Sequence, residues 1–251
     1  MIYLYDSSFA GFLSAVFQVF DRKDNQAVIN LPGGPVDLFA ENTIVTANIS
    51  HAERIWKALS VKISREALAD IHAAFLSENM NAEAALLGYM KYIFSDKSAS
   101  EKNFANPFVL RIAKLAKVVY RERHRMEAFV RFRLTTDNIF YATVSPDFNV
   151  LPLLVNHFTR RFADQRWLIY DLKRRYGLYY DLEKTTSIDI QFTPDAADEV
   201  NIFHPDEAAY EELWRNYFQS VNIPARKNMK LHIRHIPLRY WQYMTEKKYR
   251  I

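Results

Sequence analysis

The sequence predicts an α+β fold: a mixed sheet with helices packed on it, the N-terminal part being the more helical. Three observations point there. Apolar residues up to about position 125 recur mostly at the three-and-four spacing of helices. Beyond that point, short alternating runs separated by turn signals read as strands. The 251 residues are 49% hydrophobic and 25% charged, enough apolar mass for a core without cross-links. A single domain is expected, divisible into an α/β-helical lobe at 1–100 and a basic α+β lobe at 101–251. The Ser-, Lys- and Asn-bearing stretch 95–106 would join them.

Ile2–Tyr5 reads as a short strand. Residues 8–20 read as a helix, because Phe9, Phe12, Leu13, Val16, Phe17 and Phe20 share one face. Residues 21–41 read as a loop; Leu31-Pro32-Gly33-Gly34-Pro35 lacks the Lys-Ser/Thr of a phosphate-binding loop. Thr43–Ile49 reads as a strand, followed by helices near 50–59, 65–78 and 82–94. Over 107–125, Val109, Ile112, Leu115, Ala116 and Val119 fall in one sector, and Arg111, Lys114, Lys117, Arg121 and Arg125 in the opposite one. Arg123 falls on the apolar side, so it needs an acidic partner unless the helix has ended.

Glu127–Leu134 alternates like a strand, with Asp137-Asn138 as its turn and Ile139–Ser145 as the return. Pro152 suits the first turn of a helix whose apolar face is Leu151, Leu154, Val155, Phe158 and Phe162. A strand at 166–171, a basic helical turn at Leu172–Tyr176 ended by Gly177, and strands at 178–183 and 186–192 follow. His204-Pro205-Asp206-Glu207 opens a helix whose buried stripe would be Tyr210, Leu213, Trp214, Tyr217 and Phe218. The basic tail Arg226–Leu238 reads as extended, and a short final helix carries Tyr240 and Trp241.

The absence of cysteine excludes disulfides, thiolate zinc sites, cysteine nucleophiles and cysteine-ligated clusters. Only five glycines argue against a glycine-rich nucleotide site. No cofactor and no metal are expected. His232 and His235 are three apart, sharing a face on a helix and pointing apart on a strand. Nothing marks a signal peptide or a membrane span, so a cytoplasmic protein with no membrane partner is expected.

The net charge of +4 is unevenly spread. Residues 111–133 carry +6, 160–175 carry +4 and 222–251 carry +7, whereas 181–212 carry −9. Arginine interleaved with aromatics suits phosphate contact with base stacking. Candidate nucleic-acid contacts are Arg121, Arg125, Arg131, Arg133, Arg160, Arg161, Lys173, Arg174, Arg175, Lys230, His232, His235 and Arg239. If the chain is instead a hydrolytic enzyme on a DNA base or glycosidic bond, Asp147, His157 and Asp164 are its candidate working groups, with capping or ion pairing as their plainer role. A third reading makes the acidic run and exposed aromatics a protein-docking scaffold.

Several segments carry a family resemblance. They are Tyr5-Asp6-Ser7-Ser8-Phe9-Ala10-Gly11-Phe12-Leu13, His124-Arg125-Met126-Glu127-Ala128-Phe129-Val130-Arg131-Phe132 and Pro146-Asp147-Phe148-Asn149-Val150-Leu151-Pro152. His157-Phe158-Thr159-Arg160-Arg161-Phe162-Ala163-Asp164-Gln165-Arg166-Trp167, Arg175-Tyr176-Gly177-Leu178-Tyr179-Tyr180-Asp181 and the tail from Lys230 to Trp241 add to them. Together they resemble a bacterial family of unknown function described as DNA-metabolism or DNA-repair proteins. Ser7 stands where that family's opening has Gly, and Ser14 where its members often carry Cys. The resemblance implies genomic pairing with a radical-SAM protein of DNA modification or repair, and in some relatives fusion to a uracil-DNA-glycosylase-type domain. It supplies no catalytic residues.

Overall fold

The computed structural model of the chain describes residues 1–32, 41–95, 98–189, 202–220 and 229–247. Two compact units result, Met1–Tyr120 and Arg121–Ile251. The stretch 95–106, expected as the joint, lies inside the first. The expected Gly33-Gly34 loop, the start of the tail at Arg226 and the side chain of Phe218 fall outside the described residues.

In the first unit β1 (Ile2–Tyr5) is the middle of a parallel sheet, flanked by β2 (Val28–Asn30) and β3 (Asn42–Val45). Parallel neighbours require a crossover, and α1 (Phe9–Asp21) provides the one from β1 to β2. β2 lies inside the stretch expected as loop; its short β-branched run gains a ladder from β1 that no local pattern announces. Then come α2 (Ile49–Lys62), α3 (Arg65–Leu76) and α4 (Ala82–Ser95). Each of the first three helices starts on a side-chain cap. Ser8 Oγ accepts from Gly11 N at 2.9 Å, Asn48 Oδ1 from His51 N at 3.1 Å, and Ser64 Oγ from Ala67 N at 3.2 Å. Tyr3, Phe12, Val16, Leu59, Ile71, Leu86 and Met90 form a fully buried core.

α5 (Pro107–Phe129) continues across the boundary between the units. Its predicted apolar residues Val109, Ile112, Leu115, Ala116 and Val119 are all buried, and Arg111, Lys114, Lys117 and Arg121 are exposed. Arg123 finds its acid: Nε lies 3.3 Å from Glu127 Oε1, one helical turn on. That pairing helps explain why Glu127–Leu134 is not one strand. Glu122 and Met126 are buried at helical spacing, so the helix runs on to Phe129 against the alternating pattern.

The second unit holds a five-stranded sheet in the order β4-β5-β6-β7-β8. β4 (Arg133–Leu134) pairs antiparallel with β5 (Phe140–Val144), with Asn138 in the left-handed region at the intervening turn. α6 (Leu151–Arg161) crosses from β5 to its parallel neighbour β6 (Trp167–Asp171). β7 (Tyr176–Tyr180) and β8 (Thr185–Ile188) follow antiparallel. Residues 172–175 are therefore a hairpin turn rather than a turn of helix, and Gly177 lies within β7. Trp167, Ile169, Leu178 and Tyr180 share the face beneath α6, where Trp167 meets Phe158 at 6.0 Å and Tyr180 at 5.5 Å between ring centroids.

α7 (Glu207–Ser220), α8 (Met229–His235) and a 3₁₀ helix (Leu238–Tyr243) complete the described chain. Two expectations change here. The tail read as extended is helical over α8, where a helix pairs amides within the segment and an isolated strand would not. The α7 stripe expected to be buried is open: Tyr210 is 60%, Leu213 64% and Tyr217 58% exposed. Periodicity identifies the apolar face of a helix but not whether anything covers it. No helix among the described residues is long and apolar enough to cross a membrane.

Candidate functional site

The second unit gathers its charges around the loop between β5 and α6. Glu122 projects from the apolar stripe of α5 and is buried. It accepts the amide of Asp147 at 3.0 Å, the hydroxyl of Tyr240, and the Arg239 guanidinium at 3.2 Å, with Arg125 Nη1 at 3.5 Å. Arg239 also reaches Asp147 Oδ2 at 2.7 Å, so one guanidinium bridges a buried and an exposed carboxylate. Burial would lower the Arg239 pKa, but Tyr240, Glu122 and Asp147 outweigh it and raise the value. Burial pushes the Tyr240 phenol upward, and its bond to Glu122 adds to this.

The other side of the loop rests on the β6–β7 turn. Buried Asp171 accepts Arg174 Nη1 at 2.8 Å and the amides of Lys173 and Arg174 at 2.9 and 3.2 Å. Arg174 donates onward to the carbonyls of Pro146 and Asp147, both at 3.1 Å, and Lys173 Nζ to the Asp147 carbonyl at 3.1 Å. Tyr176 donates to Asn149 Oδ1. The loop is thus held from both sides by charge-assisted bonds, the strong kind. Its exposed elements are the Asp147 carboxylate, Arg239 and Lys173, with Arg121 and Arg175 the exposed neighbours of Glu122 and Arg174 in sequence.

Three separate basic runs therefore meet at one loop: Arg125 from the first, Lys173 and Arg174 from the second, Arg239 from the third. The other candidates lie elsewhere. Arg131 pairs with buried Glu246 at 2.8 Å and lies over the Trp214 ring, and Arg133 stacks 3.4 Å above the Phe203 ring centroid. Arg160 and Arg161 are exposed on the last turn of α6. Lys230 and His235 are exposed on α8, whereas His232 meets Trp241 edge-on at 5.8 Å. His232 and His235 stand on a helix, at one-turn spacing.

Asp147, His157 and Asp164 are not brought together. Asp147 precedes α6, His157 sits midway with its ring against Phe158, and Asp164 is exposed beyond the far end. Eleven helical residues put about 16 Å between the ends of α6, too far for both carboxylates to serve one reacting atom. The residues the sequence did not flag are Glu122, Asn149, Tyr240 and Glu246. A signal existed for Glu122: it is three residues past Val119 and seven past Leu115, an acid on an otherwise apolar stripe.

Fold and site together define a two-unit α+β protein whose second unit carries a surface loop braced by arginines from other elements. The family model described as "Domain of unknown function (DUF4130)" matches residues 80–246, more than half of the chain, and the chain belongs to that family. No curated protein matches it significantly.

Proposed function

We propose that the second unit binds nucleic acid through the surface centred on Asp147 and Arg239, and that the chain serves DNA metabolism or repair beside a radical-SAM partner in the cytoplasm. One observation carries the reading: three basic runs, far apart in sequence, converge around one braced loop. Four cations there (Arg125, Lys173, Arg174 and Arg239) outnumber the carboxylates Glu122, Asp147 and Asp171, with exposed Arg121 and Arg175 next to them in sequence. All four brace the loop, and the exposed Lys173 and outer edge of Arg239, with Arg121 and Arg175, offer contacts to phosphate. The partner and the DNA context come from the family resemblance of the sequence.

The test is fluorescence anisotropy of the full chain with single-stranded, duplex and uracil-containing DNA across a salt series. The expected result is binding whose logarithmic affinity falls linearly with log salt, by about 0.7–0.9 per phosphate contacted. Absence of salt-sensitive binding to all three would remove the reading.

The open face of α7 favours a second reading, a protein-docking role. Tyr210, Leu213 and Tyr217 form an apolar strip beside Glu211 and Glu212. Co-purification with the radical-SAM protein, lost on Leu213→Glu but insensitive to nuclease, would separate docking from a DNA-bridged association.

A further inference from the structure

We propose that a cleft in the first unit, between α3, α4 and the start of α5, binds a small organic ammonium ion. The cleft has a volume of about 350 Å³, at the small end of ligand pockets. Ala67, Val109 and Ile112 give it an apolar wall. Glu66, Asp70 and Glu101 line it with carboxylates, against the single ammonium of Lys102.

Tyr89 carries the argument. It lines the cleft, the residue is 3% exposed, and no group among the described residues hydrogen-bonds its hydroxyl. Its oxygen is not fully enclosed, so the partner a phenol ordinarily takes must come from the cleft. Glu101 and Asp70 line the same cleft and both act electrostatically on this hydroxyl. Each carboxylate is itself positioned: Glu101 Oε2 accepts the Ser64 amide at 2.9 Å, and Asp70 accepts the Tyr120 hydroxyl.

An ammonium brings three donors and one positive charge. Asp70, Glu101 and the phenol oxygen are three acceptors for it, two of them anionic. The hydrocarbon stem packs on Val109 and Ile112, and the Phe104 ring stands at the rim. A phosphate or carboxylate ligand would meet three acids and one lysine, so the cleft selects the opposite charge from the surface of the second unit. The inference is independent of nucleic-acid binding.

The experiment is calorimetric titration of the full chain with n-butylamine and putrescine, with n-butanol and butyrate as controls. Both amines bind saturably at neutral pH and both controls do not. Asp70→Asn weakens amine binding by about tenfold or more, and Tyr89→Phe by about threefold to tenfold, as expected for losing a charged and a neutral hydrogen-bond partner. Circular dichroism checks that both variants fold. Should Asp70→Asn fail to fold, Glu66→Gln, an exposed position, reads the same charge dependence. An Nα-acetyl-lysine methylamide arm assigns the source: binding at least as tight as n-butylamine points to a peptide lysine, weaker binding to a free amine. Saturation by butanol, no saturable heat from either amine, or equal amine affinity in wild type and variants overturns the proposal.

Discussion

The two units treat their carboxylates in opposite ways. In the second, every buried acid among the described residues meets arginine: Glu122 with Arg125 and Arg239, Asp171 with Arg174, Glu246 with Arg131. In the first, Asp70 leans on a phenol and Glu101 on a backbone amide. A carboxylate removed from water needs compensation, and a guanidinium supplies both charge and directed donors. The contrast teaches that a tally of basic residues overstates the free cationic surface. Much of the arginine in the second unit is internal bracing, while in the first the excess of acid is left facing a cleft.

The strongest way to break the contrast is to remove a braced acid. Glu122→Ala takes away the acceptor of Tyr240, Arg239, Arg125 and the Asp147 amide together. Losing one partner of a buried ion pair costs about 3–5 kcal/mol, and the partial exposure of Arg239 puts the expected loss near 3. Denaturant unfolding checks it. Glu122→Gln keeps an acceptor for Tyr240 and should recover part of the loss, which apportions the remainder to charge.

The pH response sharpens the contrast, because two acids shift in opposite senses. Burial alone would raise the Glu246 carboxyl, but the hydrogen bond and charge of Arg131, with Trp214, hold it below its ordinary value. Its contribution is present above the ordinary carboxylate pKa and is lost as pH falls through the depressed one. Glu246→Gln is therefore expected to cost about 2 kcal/mol at neutral pH and to flatten the acid limb, followed by tryptophan fluorescence, since Trp214 donates to this carboxylate at 3.0 Å. Asp70 is raised, chiefly by burial, against the Tyr120 bond. Its contribution is fully present below the unfolded pKa and is lost as pH rises through the raised value. Asp70→Asn removes that loss, so hydrogen-exchange protection in the first unit should not fall at neutral pH.

A smaller effect comes from the opening turn. Ser7 has φ 64°, the left-handed region, which fits the resembling family's glycine at this place. Ser7→Gly should stabilise by about 0.5–1 kcal/mol in thermal unfolding. The backbone supplies the reason for a glycine at this place and none for the serine that stands there.

Elsewhere the legibility of the sequence followed the range of the forces. Helices with one apolar stripe were readable, because spacing and burial coincide: the first part of α5 follows its predicted face residue by residue, and α1 buries Phe12, Leu13 and Val16 of its predicted face with Phe9, Phe17 and Phe20 half-buried. Short strands were readable in part: Ile2–Tyr5 and 166–171 are strands as expected, whereas of Glu127–Leu134 only the two residues Arg133–Leu134 before the Asp137-Asn138 turn are strand. β2 was not readable, since its partner β1 lies more than twenty residues away. The α7 stripe was visible but its openness was not, because exposure depends on neighbours that periodicity does not name. In the site, the convergence of basic runs was the right question to ask of the sequence. The acids that receive them were harder to see, since Glu122 and Glu246 each looked like one negative charge within a positive run. Only the fold shows that Arg239 and Arg131, more than a hundred residues from their partners, go to them.

The last prediction turns on the arginines that brace nothing. Arg121 and Arg175 are exposed and adjoin Glu122 and Arg174 in sequence, so Arg121→Gln and Arg175→Gln should each move stability by no more than about 0.5 kcal/mol. If the loop surface contacts phosphate, each should still weaken DNA binding and reduce the salt slope by about 0.7–0.9. Arg131→Gln is the converse case, since it breaks the Glu246 pair and lowers stability before any effect on binding can be read. Anisotropy beside denaturant unfolding for all three places each arginine on one side of the line between bracing and contact. A salt slope unchanged in both exposed variants would leave the convergence of basic runs as architecture alone.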